Sequence, residues 1–222
     1  MQKRKLGNSD ITLTSIGFGG APLGNLFEEL NETDCFDIVK KSYEMNINLF
    51  DTSPFYGYGL SEHRIGNFLK TIDPKSYYLS TKVGRYLTPQ RNYYKDGKFK
   101  GQINFIPHID YTYDGVMRSF DQSIHRLAVS EIDICLIHDV DRYTFGNDLD
   151  HYFKIAMNGA YKALNDLKEQ KVIKAIGVGL NDADICTRFA NEGDFDCMLL
   201  AGRYTLLDQT ALDEFFPIAK KN

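Results

Sequence analysis

Short runs of β-branched and aromatic residues alternate along the chain with longer segments whose apolar positions recur every three or four residues. The runs at residues 14–19, 47–51, 77–82, 133–138, 174–178 and 196–200 predict strands. Between them Cys35, Ile38, Val39 and Tyr43 form one helical stripe, Val116, Phe120, Ile124 and Leu127 a second, and Ala160, Ala163, Leu164 and Leu167 a third. This alternation predicts a parallel sheet covered by helices. Ahead of it, Asn8-Ser9-Asp10 lies between two short extended pieces, which predicts a small N-terminal β-hairpin. Residues 84–113 show no period and read as a long loop. It is either a binding loop or lid, or a segment that its aromatics pin onto the sheet.

Repeating βα units leave an open doubly wound sheet or a closed eight-stranded barrel. The glycines help to choose. Gly17, Gly19, Gly20 and Gly24 lie in GFGGAPLG, which does not fit GxGxxG: counted from Gly17 the sixth position is Pro22, and from Gly19 the third is Ala21. A Rossmann turn is disfavoured, and the expected α/β fold is a TIM-type (β/α)8 barrel. The last helical pattern, Leu212, Phe215, Phe216 and Ala219, has no strand after it. The expectation is therefore one barrel domain over residues 1–222, incomplete at its C-terminal end after about six βα units. Its open edges would invite self-association.

The 222 residues carry 26 Lys and Arg against 30 Asp and Glu, a net charge of −4 that argues against a nucleic-acid grip. MQKRKL runs into a polar turn, and no apolar stretch has the length of a membrane span, so a soluble cytoplasmic protein is expected. The four cysteines have no CxxC spacing and the five histidines form no ligand pair, so neither a disulfide framework nor a metal site is expected.

Reactive side chains gather at predicted strand ends: Asp51, Lys82 and His138 close three consecutive strands, and Tyr56 follows Asp51 by five residues. In a parallel barrel these ends open on one face, so the four groups meet in one mouth. Singly, Asp51 reads as a cap on the turn Thr52-Ser53-Pro54, Lys82 as a solvated end and His138 as a core histidine. Jointly, charge at three buried strand ends is costly unless the groups pair. Their chemistry is proton transfer to or from an oxygen. A cation about 4 Å from the phenol, at an effective dielectric near 20, is worth roughly 4 kcal/mol, or some three pKa units. Lys82 is thus expected to make Tyr56 usable as acid or base, with Asp51 aiming Lys82 and His138 orienting the substrate oxygen. A metal-dependent hydrolase using His138, Asp139 and Asp141 is a weaker reading, because neighbours on a strand point apart.

The four residues, in NLFDTSPFYGYG, LSTK and CLIHD, resemble the catalytic set of the aldo-keto reductase superfamily. GFGGAPLGNLF, YDGVMRSFDQS, LIHDVDRYTFG and AGRYTLLDQ resemble its bacterial branch of D-threo-aldose 1-dehydrogenase, L-fucose dehydrogenase and pyridoxal 4-dehydrogenase. The resemblance implies an NAD- or NADP-dependent oxidoreductase. Hydride would pass between the nicotinamide and the C1 hydroxyl or carbonyl of an aldose, or a similar small alcohol or aldehyde. It implies catalytic roles for Asp51, Tyr56, Lys82 and His138, places Gly20 and Ala21 beside the cofactor, and brings Tyr204 near the nicotinamide. Gly179-Leu180-Asn181 stands where many relatives have Ser-Asn, and Ala201-Gly202 where Gln is common, which leaves Asn181 as the candidate carboxamide contact. The rival expectation is a non-catalytic barrel fragment or interaction protein without a complete cofactor site.

Overall fold

A computed structural model describes residues 1–92 and 98–221. Lys3–Lys5 (β1) and Thr12–Thr14 (β2) pair antiparallel as the expected hairpin, and the turn is tied by the Ser9 hydroxyl donating to the Leu6 carbonyl at 2.6 Å. Phe18–Gly19 (β3), helix Glu32–Glu44 (α1), Leu49–Asp51 (β4), helix Leu60–Leu69 (α2) and Tyr78–Val83 (β5) follow. Next come Arg85–Pro89 (β6), Phe105–Ile109 (β7), helix Tyr113–Leu127 (α3) and Ile134–His138 (β8). After β8 the chain makes a short helix, Arg142–Phe145 (α4), and then Leu149–Ile155 (α5). A π-helical turn, Ala156–Tyr161, joins α5 to Lys162–Glu169 (α6). Ala175–Leu180 (β9), Ala183–Glu192 (α7), Cys197–Leu200 (β10) and Phe215–Ala219 (α8) complete the order.

Six strands form one parallel sheet in the order β10-β9-β8-β5-β4-β3. This is half of a barrel wall, the α/β architecture the alternation predicts. Helices cover its outer face, where Val39, Phe50, Ile65, Leu79, Ile137 and Ile176 belong to the main core. Inside the curve, the hairpin inserts Ile11 against Ile134, Leu136 and Ala175 and plugs the end where the strands begin. The opposite end, where the strands finish, is left for chemistry.

Two expectations need correction. Residues 84–113 are not a plain loop: β6 and β7 form an antiparallel ribbon with Arg85 opposite Ile109 and Pro89 opposite Phe105. Pro89 and Pro107 mask these strands in the sequence, since proline cannot donate to a ladder. Pro107 faces Leu87, and Gln122 of α3 stands in for the ladder there: the Leu87 amide donates to Gln122 Oε1 at 2.9 Å, and Gln122 Nε2 donates back to the Leu87 carbonyl at 3.0 Å. The central part of that stretch, residues 93–97, lies outside the described residues. In the first helical stripe, Cys35 and Val39 are buried but Ile38 is 41% exposed, because it is turned away from the axis those two define.

Helices α2 and α3 approach most closely at Gly66. A Cβ there would lie 2.0 Å from the Leu127 carbonyl oxygen, and backbone cannot give way as a side chain does. Gly66→Ala is expected to lower stability by about 1–3 kcal/mol or more, read as a lower urea midpoint with an unchanged slope. An unshifted midpoint would mean that the two helices separate freely.

Candidate active site

The parallel register brings the ends of β4, β5 and β8 to one level. Asp51 pairs with Ser80, Lys82 with Leu136 and His138 with Gly179. Lys82 Nζ donates to Asp51 Oδ2 at 2.6 Å and to the Thr52 carbonyl at 2.9 Å, while the Ser80 hydroxyl holds Asp51 Oδ1 at 2.8 Å. Tyr56 sits on the turn after β4, its ring centre 4.9 Å from Lys82 Nζ and 5.8 Å from the His138 ring, which it meets edge-on at 87°. That turn is pressed against the 3-10 turn Ala21–Gly24. A Cβ on Gly24 would fall 2.5 Å from the Tyr56 carbonyl carbon, and Gly57 takes φ +62 to let the two backbones meet. The four residues the sequence singles out are thus brought together.

Burial pulls the Lys82 ammonium down, but Asp51 and Tyr56 outweigh it and hold the group above its ordinary value. The Tyr56 phenol moves the other way from the sequence expectation. Burial raises it, Lys82 opposes that rise without cancelling it, and Asp51 adds to it. Here Asp51 faces the ammonium at 2.6 Å, and the phenol's own desolvation dominates. At neutral pH Tyr56 is therefore a proton donor.

His138 is 5% exposed and held from three sides. Tyr111 donates to its carbonyl at 2.5 Å, and Ser53 Oγ lies 3.0 Å from Nδ1. Ser53 Oγ accepts the Phe55 amide proton at 3.1 Å and keeps its own proton for Nδ1, and the Asp139 carboxylate 3.4 Å from Nε2 can only accept, an arrangement that favours the imidazole proton on Nε2. Burial, with the Arg85, Lys82 and Lys98 cations adding to it, keeps the imidazole well below its ordinary 6.5. Protons therefore bind the unfolded chain more readily: this residue's contribution to stability is complete above 6.5 and is lost as the pH falls through that value. The loss runs at about 1.4 kcal/mol per pH unit while the folded imidazole stays neutral. Urea midpoints taken between about pH 7 and 5 should fall more steeply for the wild type than for His138→Gln. Parallel slopes would mean a protonated His138 in the folded state.

Asp139 corrects a second expectation. Strand alternation ends at His138, and Asp139 takes φ 52, a left-handed conformation that turns its carboxylate back beside His138 Nε2 at 3.4 Å. Asp141 instead caps α4 through the Thr144 amide and accepts Asn181 Nδ2 at 2.8 Å. Among the described residues no three His, Cys, Asp or Glu side chains are grouped to hold a metal ion.

A cavity of about 650 Å³ opens beside these groups, lined by Phe55, Arg85, Asp139, Tyr143, Asn181 and Arg203 among others. Of the expected cofactor contacts, Asn181 lines it. Gly20 is buried at the strand end with its amide on the Asp51 carbonyl at 2.8 Å, and Ala21 opens the turn that follows. Tyr204 is not brought in: it is 60% exposed, and its ring stands edge-on to Phe216 at 4.9 Å, outside the cavity lining.

Comparison with known proteins bears on the same residues. The profile of the Aldo/keto reductase family matches residues 15–222. The chain belongs to that family. Pyridoxal 4-dehydrogenase of Microbacterium luteolum is 39% identical to this aldo/keto reductase chain over 99% of the chain and 67% of its own length. D-threo-aldose 1-dehydrogenase of a Pseudomonas species is 35% identical over 96% of the chain and 64% of its own length. Among solved structures, the holo form of an aldo-keto reductase from Bacillus halodurans superposes with a TM-score of 0.75 at 25% identity, covering 100% of the chain and 63% of that protein. The chain thus spans about two thirds of the length of these relatives.

Sequence reasoning missed two residues of this aldo/keto reductase site and discounted a third. Ser53 had a signal, a hydroxyl in the short turn between Asp51 and Tyr56. Arg85 had another, a charge directly after the Lys82 strand. Asp139 was set aside by an alternation rule that does not apply past the strand end.

Proposed function

We propose that this aldo/keto reductase interconverts the C1 hydroxyl of a cyclic aldose and the corresponding lactone, using NAD or NADP. The observation that carries the reading is the convergence of Asp51, Tyr56, Lys82 and His138 at the strand ends, beside a cavity open to small molecules. The residues present fit the nicotinamide end of such a cofactor through Asn181, which brings a side-chain amide into the cavity lining, while Gly20 is buried with its amide and carbonyl both hydrogen-bonded and serves to shape the first strand end. When bound, the nicotinamide supplies the carbon that accepts or returns the hydride. Tyr56 passes the proton of the C1 oxygen, His138 Nε2–H donates to that oxygen, and Lys82, aimed by Asp51, opposes the rise in the phenol's pKa. A protonated Tyr56 suits reduction at neutral pH, and oxidation needs the phenol to lose its proton, so oxidation should rise with pH.

Pyridoxal is the second candidate substrate, supported by the relative that is 39% identical over the matched region and by the Phe55 and Tyr143 rings of the cavity. The rival reading, a barrel without a working site, is less well supported, because Lys82, Asp51 and Ser80 are joined by hydrogen bonds and Tyr56 packs against both Lys82 and His138. A cytoplasmic setting belongs to the proposal and draws on four unpaired cysteines, three of them buried. Initial rates with L-fucose, D-arabinose and pyridoxal, each under NAD and NADP, test it. Turnover of a sugar is expected; failure of all three under both cofactors would overturn the substrate assignment.

A further inference from the structure

The cavity holds an unfinished hydrogen-bonding arrangement. Arg85, at the start of β6, is 5% exposed, and its guanidinium lies 4.3 Å from the centre of the Phe55 ring. A guanidinium carries five N–H donors, and here Nη1 donates to Asp139 Oδ2 at 3.2 Å. Nε is buried and finds no acceptor among the described residues. A cation withdrawn this far from water is costly, and Arg85 lines the cavity, where ligand oxygens can accept from its remaining N–H groups. Asp139 complements it with acceptors: its Oδ1 takes a long contact from Asn181 Nδ2 at 3.4 Å. Its left-handed backbone, φ 52, turns the carboxylate back toward the cavity that it lines.

The charges indicate which ligand fits. Arg85 is matched by Asp139, Arg203 is matched by Asp208 at 3.1 Å, and the Lys98 ammonium lies over the Phe55 ring, 4.7 Å from its centre. Paired charges on planar groups present donors and acceptors side by side. Next to the rings of Phe55 and Tyr143, that arrangement suits neighbouring hydroxyls on a saturated ring, each giving one hydrogen bond and taking another.

We propose that Arg85 and Asp139 form a specificity site that reads neighbouring ring hydroxyls of the substrate, away from the oxygen held at Tyr56 and His138. The proposal rests on the sugar reading given above, and binding separates the two. L-fucose and its singly deoxygenated analogues are titrated into the purified protein without dinucleotide and followed by saturation-transfer NMR. In the wild type, removing one of the recognised hydroxyls is expected to weaken binding about tenfold or more. In Arg85→Lys and Asp139→Asn that ratio should shrink toward one, with amide spectra reporting whether each variant is folded.

Deoxy sugars that bind the wild type as well as the parent would overturn the proposal, as would an absence of sugar binding. Variants that keep the full ratio would overturn it too. A uronate that binds more tightly than the neutral sugar would make the cavity an anion site instead. If neither variant folds, the wild-type deoxy series decides alone. Sugar bound with this discrimination but never oxidised would support the specificity site and sink the dehydrogenase reading.

Discussion

Tyr56→Phe is expected to cut turnover by about 10²- to 10⁴-fold, the usual worth of a positioned general acid or base, with dinucleotide affinity nearly unchanged. The substitution removes one oxygen and keeps the ring, so the edge-on contact with His138 and the approach of Lys82 Nζ survive. Paired measurements of rate and of cofactor affinity by fluorescence titration separate the two effects. More than about a tenth of the wild-type rate remaining would remove Tyr56 from the proton-transfer role.

Lys82→Met should be the most damaging change to the site as a whole. It strips the Asp51 carboxylate of its 2.6 Å partner, the Thr52 carbonyl of its donor, and Tyr56 of the charge that counteracts burial. Removing one member of a buried pair costs about 3–5 kcal/mol, so a large drop in the denaturation midpoint is expected. The direction for catalysis follows from the sign of the Lys82 influence. Lys82 pulls the Tyr56 pKa down, so its loss raises that pKa further and moves the onset of oxidation to higher pH, or abolishes it. A variant with wild-type stability and an unmoved pH profile would show that Lys82 and Tyr56 are uncoupled.

The sequence made the strand ends legible because their chemistry breaks an otherwise apolar pattern. LFD, YLSTK and CLIH each end a buried run in a group that tolerates burial only with a partner, and Lys82 and Asp51 prove to be partners. What stayed illegible depends on contacts between elements distant in sequence. The β6–β7 ribbon is stabilised by Gln122, some thirty-five positions from Leu87, and no local pattern announces that. The π-helical turn at Ala156–Tyr161 leaves the apolar spacing of Ala160, Ala163, Leu164 and Leu167 intact, and all four are buried. The Tyr56 pKa was misjudged because a pairwise charge estimate includes neither the phenol's desolvation nor the neighbouring carboxylate.

Helix α3 does more than cover the sheet. Its Gln122 fastens Leu87, and its Ser119 donates at 2.8 Å to the carbonyl of Arg85, so two points of the ribbon hang from one rigid rod. The cavity wall that carries Arg85 is thereby referenced to a helix that, among the described residues, contributes no side chain to the cavity lining. Substitutions along that helix can then retune which molecules are accepted while every residue facing the ligand stays the same, a route by which selectivity drifts without a visible change in the site.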